Sequence, residues 1–111
     1  MDRKEILEAL IRFESPLPDL TKAVRSLSWD ADPVVILRRL DIANVLDRFA
    51  SGELDATTIE DWANLIECRE DIDYEPDHEE SVAQAIFDLA NPILYGPLEI
   101  TVPEIYARFR E

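Results

Sequence analysis

Residues 57–80 read TTIEDWANLIECREDIDYEPDHEE, and the fold turns on where this stretch stops being helical. Thr57 and Glu60 have the spacing of a capping box, so a helix is expected over about 57–69. At about 100° per residue, Ile59, Trp62, Ala63 and Ile66 share one side of that helix and make a core-facing stripe built on the tryptophan. Glu60, Asn64, Glu67 and Asp71 fall on another side, and Cys68 sits on the polar surface beside Asp61. Helical spacing then gives way to alternation at Asp71-Ile72-Asp73-Tyr74-Glu75, and Pro76 ends what reads as a strongly acidic loop.

Toward the N-terminus, Asp2 and Glu5 have capping spacing, and Ile6, Leu7, Leu10 and Phe13 define a helix over about 3–14. Ser15-Pro16-Leu17-Pro18 stops it, since proline supplies no donor and pushes its predecessor out of the α region. Asp19 can cap a short helix carrying Leu20, Val24 and Leu27. Ala23, Arg25, Leu27 and Trp29 fit a period of two almost as well, so 19–29 stays open between helix and strand, with Trp29 expected as a buried anchor. Asp32-Pro33 then offers an N-cap and a first-turn proline. The helix expected over about 33–50 is apolar almost all round, with Val35, Ile36, Leu37, Leu40, Ile42, Val45, Leu46 and Phe49, which places it at the centre of the bundle. Ser51-Gly52 ends it, with Gly52 suited to a left-handed cap.

Toward the C-terminus, Asp77 and Glu80 cap a helix over about 78–90 whose inward set is Val82, Ile86, Leu89 and Phe87. Asn91-Pro92 ends it, and ILYGPLEI (93–100) is expected as a packed apolar turn. Thr101 and Glu104 cap the last helix, with Val102, Ile105, Tyr106 and Phe109 inward. Arg108 and Arg110 fall in its final turn, where they complement the helix dipole. The expected fold class is therefore all-α: a compact single domain over 1–111, made of five to six short helices packed at non-parallel angles.

The net charge is −14, and it is unevenly placed. Residues 1–48 hold nine acids and eight bases, whereas residues 49–107 hold fifteen acids against Arg69 alone. Such a field argues against nucleic acid and against an anionic membrane surface, both of which require basic patches, and it favours a basic protein partner or simple solubility. The single cysteine excludes an internal disulfide. The N-terminal residues are charged from Asp2 onward with no apolar h-region, and no apolar run approaches the roughly 20 residues of a membrane span. A cytoplasmic protein is expected, as a monomer or a weak homo-oligomer, with ILYGPLEI the segment that would mediate the latter.

Motifs that carry chemistry are missing from the sequence. Aligning Asp71, Asp73, Glu75 and Asp77 with an EF-hand loop puts Pro76 where glycine is needed and Val82 where a bidentate glutamate is needed. One cysteine and one histidine, Cys68 and His78, cannot build a structural zinc site. The acids around Cys68 are expected to disfavour its thiolate rather than activate it. Gly52 and Gly96 are the only glycines, too few for a phosphate-binding loop. No catalytic residue, cofactor or metal is expected, and the chain reads as a non-enzyme.

Recognition is what the pattern favours. Ile72 and Tyr74 stand among carboxylates, and an aromatic group within a charged ring is the usual form of an interface anchor. The expected partner-binding set is Glu60, Glu67, Asp71, Ile72, Asp73, Tyr74, Glu75 and Asp77. The opposing expectation is that Ile72 and Tyr74 pack inward while the acids merely face water. FASGELDATTIEDWANLIECREDI (49–72) and AIFDLANPIL (85–94) resemble a family of small acidic bacterial proteins without an assigned function, over most of residues 33–100. Asp73-Tyr74-Glu75-Pro76 is similar in character to the acidic, tyrosine-bearing stretch of all-helical immunity proteins, although the paired tyrosines of that motif are missing. That second likeness implies a module that masks a basic partner. A small-molecule or divalent-cation binder, or an enzyme with a carboxylate-lined pocket, is the alternative class.

Overall fold

The computed structural model describes residues 2–27, 33–67 and 69–109. Its elements run α1 (Arg3–Arg12), α2 (Leu17–Arg25), β1 (Val35–Leu37), α3 (Arg39–Ala50), α4 (Ala56–Glu67), β2 (Ile72–Tyr74), α5 (Glu79–Ala90), α6 (Pro92–Tyr95) and α7 (Leu98–Phe109). The described chain is mostly helical, as the sequence indicates, and one small parallel pair of strands is its only β structure among those residues.

Helix α4 occupies the centre. Ile59, Trp62, Ala63 and Ile66 are each 0% exposed, in the register expected from their spacing. The helix is capped two residues earlier than Thr57: the Asp55 carboxylate accepts the Thr58 N–H at 2.8 Å. Around Trp62 three elements are joined. Its indole Nε1–H donates to the Leu10 carbonyl of α1 at 2.7 Å, so the one polar atom of the ring is satisfied in the core. The Phe13 ring lies 6.5 Å from it, tilted by 39°. Phe13 itself ends α1 in the left-handed region (φ 53°), an uncommon conformation for an aromatic residue. It is held there because Arg48 of α3 donates to its carbonyl at 2.8 Å and lies 5.1 Å over its ring.

The helix expected over 33–50 is in fact two elements. Val35–Leu37 is a strand, and α3 begins only at Arg39, with the Asp41 carboxylate accepting the Arg38 N–H at 3.0 Å. The β-branched run Val34-Val35-Ile36 prefers a pleated surface, and its partner Ile72–Tyr74 lies beyond two helices. Val35 stands opposite Ile72, Ile36 opposite Asp73 and Leu37 opposite Tyr74. The apolar-all-round pattern therefore had two sources, and α3 alone buries only Ile42, Val45 and Leu46, while Leu40 is exposed. The expected N-cap Asp32 and the expected anchor Trp29 lie outside the described residues.

Other boundaries moved for local reasons. The 19–29 ambiguity resolves as helix through Arg25, starting at Leu17 with the Pro16 carbonyl accepting the Asp19 and Leu20 N–H groups, and burying Leu20 and Val24. Asp77 adopts φ 69° and leaves the N-cap of α5 to His78, which makes no side-chain cap bond. Helix α7 starts at Leu98, three residues before the expected Thr101, and carries Pro103 within it. Val102 and Ile105 point inward as expected, with Tyr106 and Phe109 partly buried against the core. Phe87, expected inward, is 39% exposed. ILYGPLEI is not a packed turn throughout: Leu98 is buried, but Ile93 is 97% exposed and Leu94 and Ile100 are also exposed.

Candidate functional site

The acidic segment is a strand with a floor beneath it. Val34 N–H donates to the Asp71 carbonyl and Glu75 N–H to the Leu37 carbonyl, both at 3.0 Å, so β1 holds the segment at both ends. This pairing sorts the expected partner-binding residues into two groups.

One group serves the fold. Asp71 is 0% exposed, and its carboxylate accepts from Arg69 Nε at 3.0 Å, Arg69 Nη2 at 2.6 Å and Arg3 Nη1 at 2.5 Å. Burial alone pushes its pKa up, but the bonds from Arg69 and Arg3 prevail and hold the carboxyl below its ordinary value. Ile72 is buried in the core cluster. Glu75 accepts from the Arg39 backbone N–H at 2.9 Å and from Arg39 Nε and Nη2 at 3.1 and 3.2 Å. Asp71 is thus withdrawn from the surface stripe on which the sequence placed it, Ile72 packs inward as the opposing expectation has it, and Glu75 is committed to the start of α3.

Glu75 also sets a pH dependence. The Arg39 side-chain bonds, then the Arg39 backbone bond, lower its pKa from 4.5 to about 2. A depressed folded-state pKa contributes stability that is fully present above the unfolded value and lost as pH falls through the folded one. The wild-type protein should therefore lose stability between about pH 4.5 and pH 2. Glu75→Gln should flatten that part of the curve, at a cost on the order of 1 kcal/mol at pH 7. Urea midpoints across this pH range for both proteins check it, and parallel curves would contradict it.

The other group frames a groove. Glu67 from the end of α4, Tyr74 from β2, and Glu80, Ala83, Gln84 and Phe87 from one face of α5 line an open depression of about 530 Å³. Residues 80, 83, 84 and 87 share a face because they are three, four and seven apart on one helix. Tyr74 is half-buried, and burial, then the negative field of Glu67, push its phenol pKa above the ordinary value. Glu60 sits two turns earlier on the same flank of α4, roughly 10 Å back along the helix and outside the groove. Asp73 and Asp77 are exposed and do not line the groove, and the Asp73 carboxylate accepts the Tyr74 N–H at 3.0 Å.

The groove thus combines two aromatic rings, Tyr74 and Phe87, with two carboxylates, Glu67 and Glu80, and among the described residues no basic side chain lines it. Phe87 and Glu80 were not in the expected set. The sequence places Phe87 in the core because an aromatic residue near the inward face of an amphipathic helix usually packs there, and only the placement of β2 beside α5 makes it part of the groove lining. Cys68 lies outside the described residues. Among the described residues, no group of three or more histidine, cysteine or acidic side chains is arranged to hold a metal ion, and no helix is long and apolar enough to cross a membrane. No protein-family model, no curated protein and no solved structure matches the chain.

Proposed function

We propose that this is a protein-binding module that takes a basic partner protein through the Tyr74–Phe87 groove, in the manner of an immunity protein or antitoxin. The observation that carries this reading is the juxtaposition of two partly exposed aromatic rings with the carboxylates of Glu67 and Glu80. A lysine or arginine side chain has an apolar stem and a charged head, so it can lie along Tyr74 and Phe87 and end between the two acids. Burial of the aromatic pair supplies affinity, while the acidic half of the chain accelerates encounter and makes it dependent on salt. Glu60, Asp73 and Asp77 extend the field around the groove, and Asp71, Ile72 and Glu75 hold β2 in place beneath it.

The test is affinity capture at low salt. The wild-type chain should retain a basic protein that elutes as salt rises. Tyr74→Ala should weaken that complex by about 2 kcal/mol or more, the loss typical of an interface anchor. Glu67→Gln with Glu80→Gln should mainly slow association. A captured partner indifferent to Tyr74, to the two glutamates and to salt would sink the proposal.

A further inference from the structure

A second groove lies on different elements and shares no lining residue with the first. It runs between the end of α3, the turn into α4 and the side of α7, with a volume of about 640 Å³, inside the roughly 300–1,000 Å³ of small-molecule sites. Phe49, Leu54, Val102 and Pro103 make its walls apolar. Three further groups bring the polar character: Asp55, Glu99 and Tyr106. Among the described residues no basic side chain lines this groove.

The hydrogen-bonding chemistry of those three groups is one-sided. Tyr106 donates its single hydroxyl proton to the Asp47 carboxylate at 2.6 Å, so any further bond its oxygen makes is one it accepts. Burial, then that bond and the Asp47 charge, raise its pKa, so the phenol keeps the proton throughout the ordinary pH range. Asp55 is fixed in place by capping α4, and the Thr58 side chain and N–H lower its pKa, which keeps it ionised. Glu99 is an exposed carboxylate at the first turn of α7. Every polar side chain of the lining therefore presents acceptors to an incoming ligand. A neutral apolar ligand would leave them without a donor, and an anion would be repelled by both acids.

We propose that this groove binds a small apolar molecule carrying a primary ammonium group, its body against Phe49, Leu54 and Val102 and its three N–H donors directed at Glu99, Asp55 and the Tyr106 oxygen. The fit is one of size and of donor–acceptor and charge complementarity, since an ammonium has three donors and no acceptor.

Three probes of similar size separate the contributions: 2-phenylethylamine, 2-phenylethanol and phenylacetate, which are cationic, neutral and anionic. They are titrated into the isotopically labelled full chain while backbone amide shifts are followed. The amine should give saturable shifts confined to residues 49–56 and 98–106. The alcohol should bind about tenfold more weakly, and the acid should not bind, because a charge-assisted bond is what distinguishes them. Glu99→Gln, a change at an exposed position that leaves the fold intact, should weaken the amine about tenfold and leave the alcohol unchanged. The proposal is overturned by equal affinity for amine and alcohol, by an unaltered amine affinity in Glu99→Gln, by amine shifts centred on Glu67–Phe87, or by the lack of a saturable shift with any probe.

Discussion

Asp71→Asn should destabilise the protein by about 3–5 kcal/mol, although the change is one atom at a position that the charge pattern places on the surface. The side chain keeps its volume, so no cavity forms. What is lost is the negative charge that the buried Arg69 guanidinium, 3% exposed, and Arg3 both address. Removing one partner of a buried charge pair is costly, and domains have only about 5–15 kcal/mol of stability in total. The fall in Tm should be roughly 15 °C, read by circular dichroism. A surface acid would give a change within about 0.5 kcal/mol, and that result would return Asp71 to the solvated face.

The second large effect is expected at Trp62. Trp62→Ala removes the largest fully buried side chain among the described residues, opens a cavity at the meeting point of α1, α3 and α4, and leaves the Leu10 carbonyl without its indole donor. The truncation alone costs about 3–5 kcal/mol, and the loss of the indole bond adds to that, although the Leu10 carbonyl keeps the Phe13 N–H at 3.1 Å; together this is enough to leave the variant largely unfolded at 37 °C. Trp62→Phe keeps a ring against Phe13 and loses the hydrogen bond and some volume, so it should fold with a Tm clearly below that of the wild type. Urea unfolding of the two variants should rank wild type, Phe and Ala in that order. Equal stability of the Phe and Ala variants would contradict a packed, bonded role for the ring.

Much of this was legible in the residue order. The stripe Ile59, Trp62, Ala63 and Ile66 has helical spacing and is the buried face of α4. Asp2 caps α1 as its spacing to Glu5 indicates, with the Glu5 N–H bonded to its carboxylate at 2.8 Å. These are local regularities, and spacing reports them directly. The strand pair was not legible, because Val35–Leu37 and Ile72–Tyr74 gain their structure from each other across an intervening pair of helices. A short apolar run before a helix looks like more helix when its pairing partner is distant in sequence. The roles of the acids were hidden for the same reason. Nothing near Asp71 in the chain says that Arg3 reaches it from 68 positions away, or that Arg39 holds Glu75 from 36 away. The alternation Asp-Ile-Asp-Tyr-Glu did carry the signal of a strand, and it sorts as a strand sorts: Ile72 is buried, Asp73 exposed.

The acidic stretch is therefore divided, with Asp71 and Glu75 holding the fold and Glu67, Tyr74 and Glu80 proposed as the working surface. The most direct measurement of that division is an amide-shift titration of the labelled protein with a lysine-rich peptide at low salt. The largest shifts should fall on Glu67, Tyr74, Glu80, Ala83 and Phe87, and Tyr74→Ala should abolish saturation there. Shifts spread evenly over exposed acids that do not line the groove, such as Asp61 and Glu104, and unchanged in Tyr74→Ala, would contradict it.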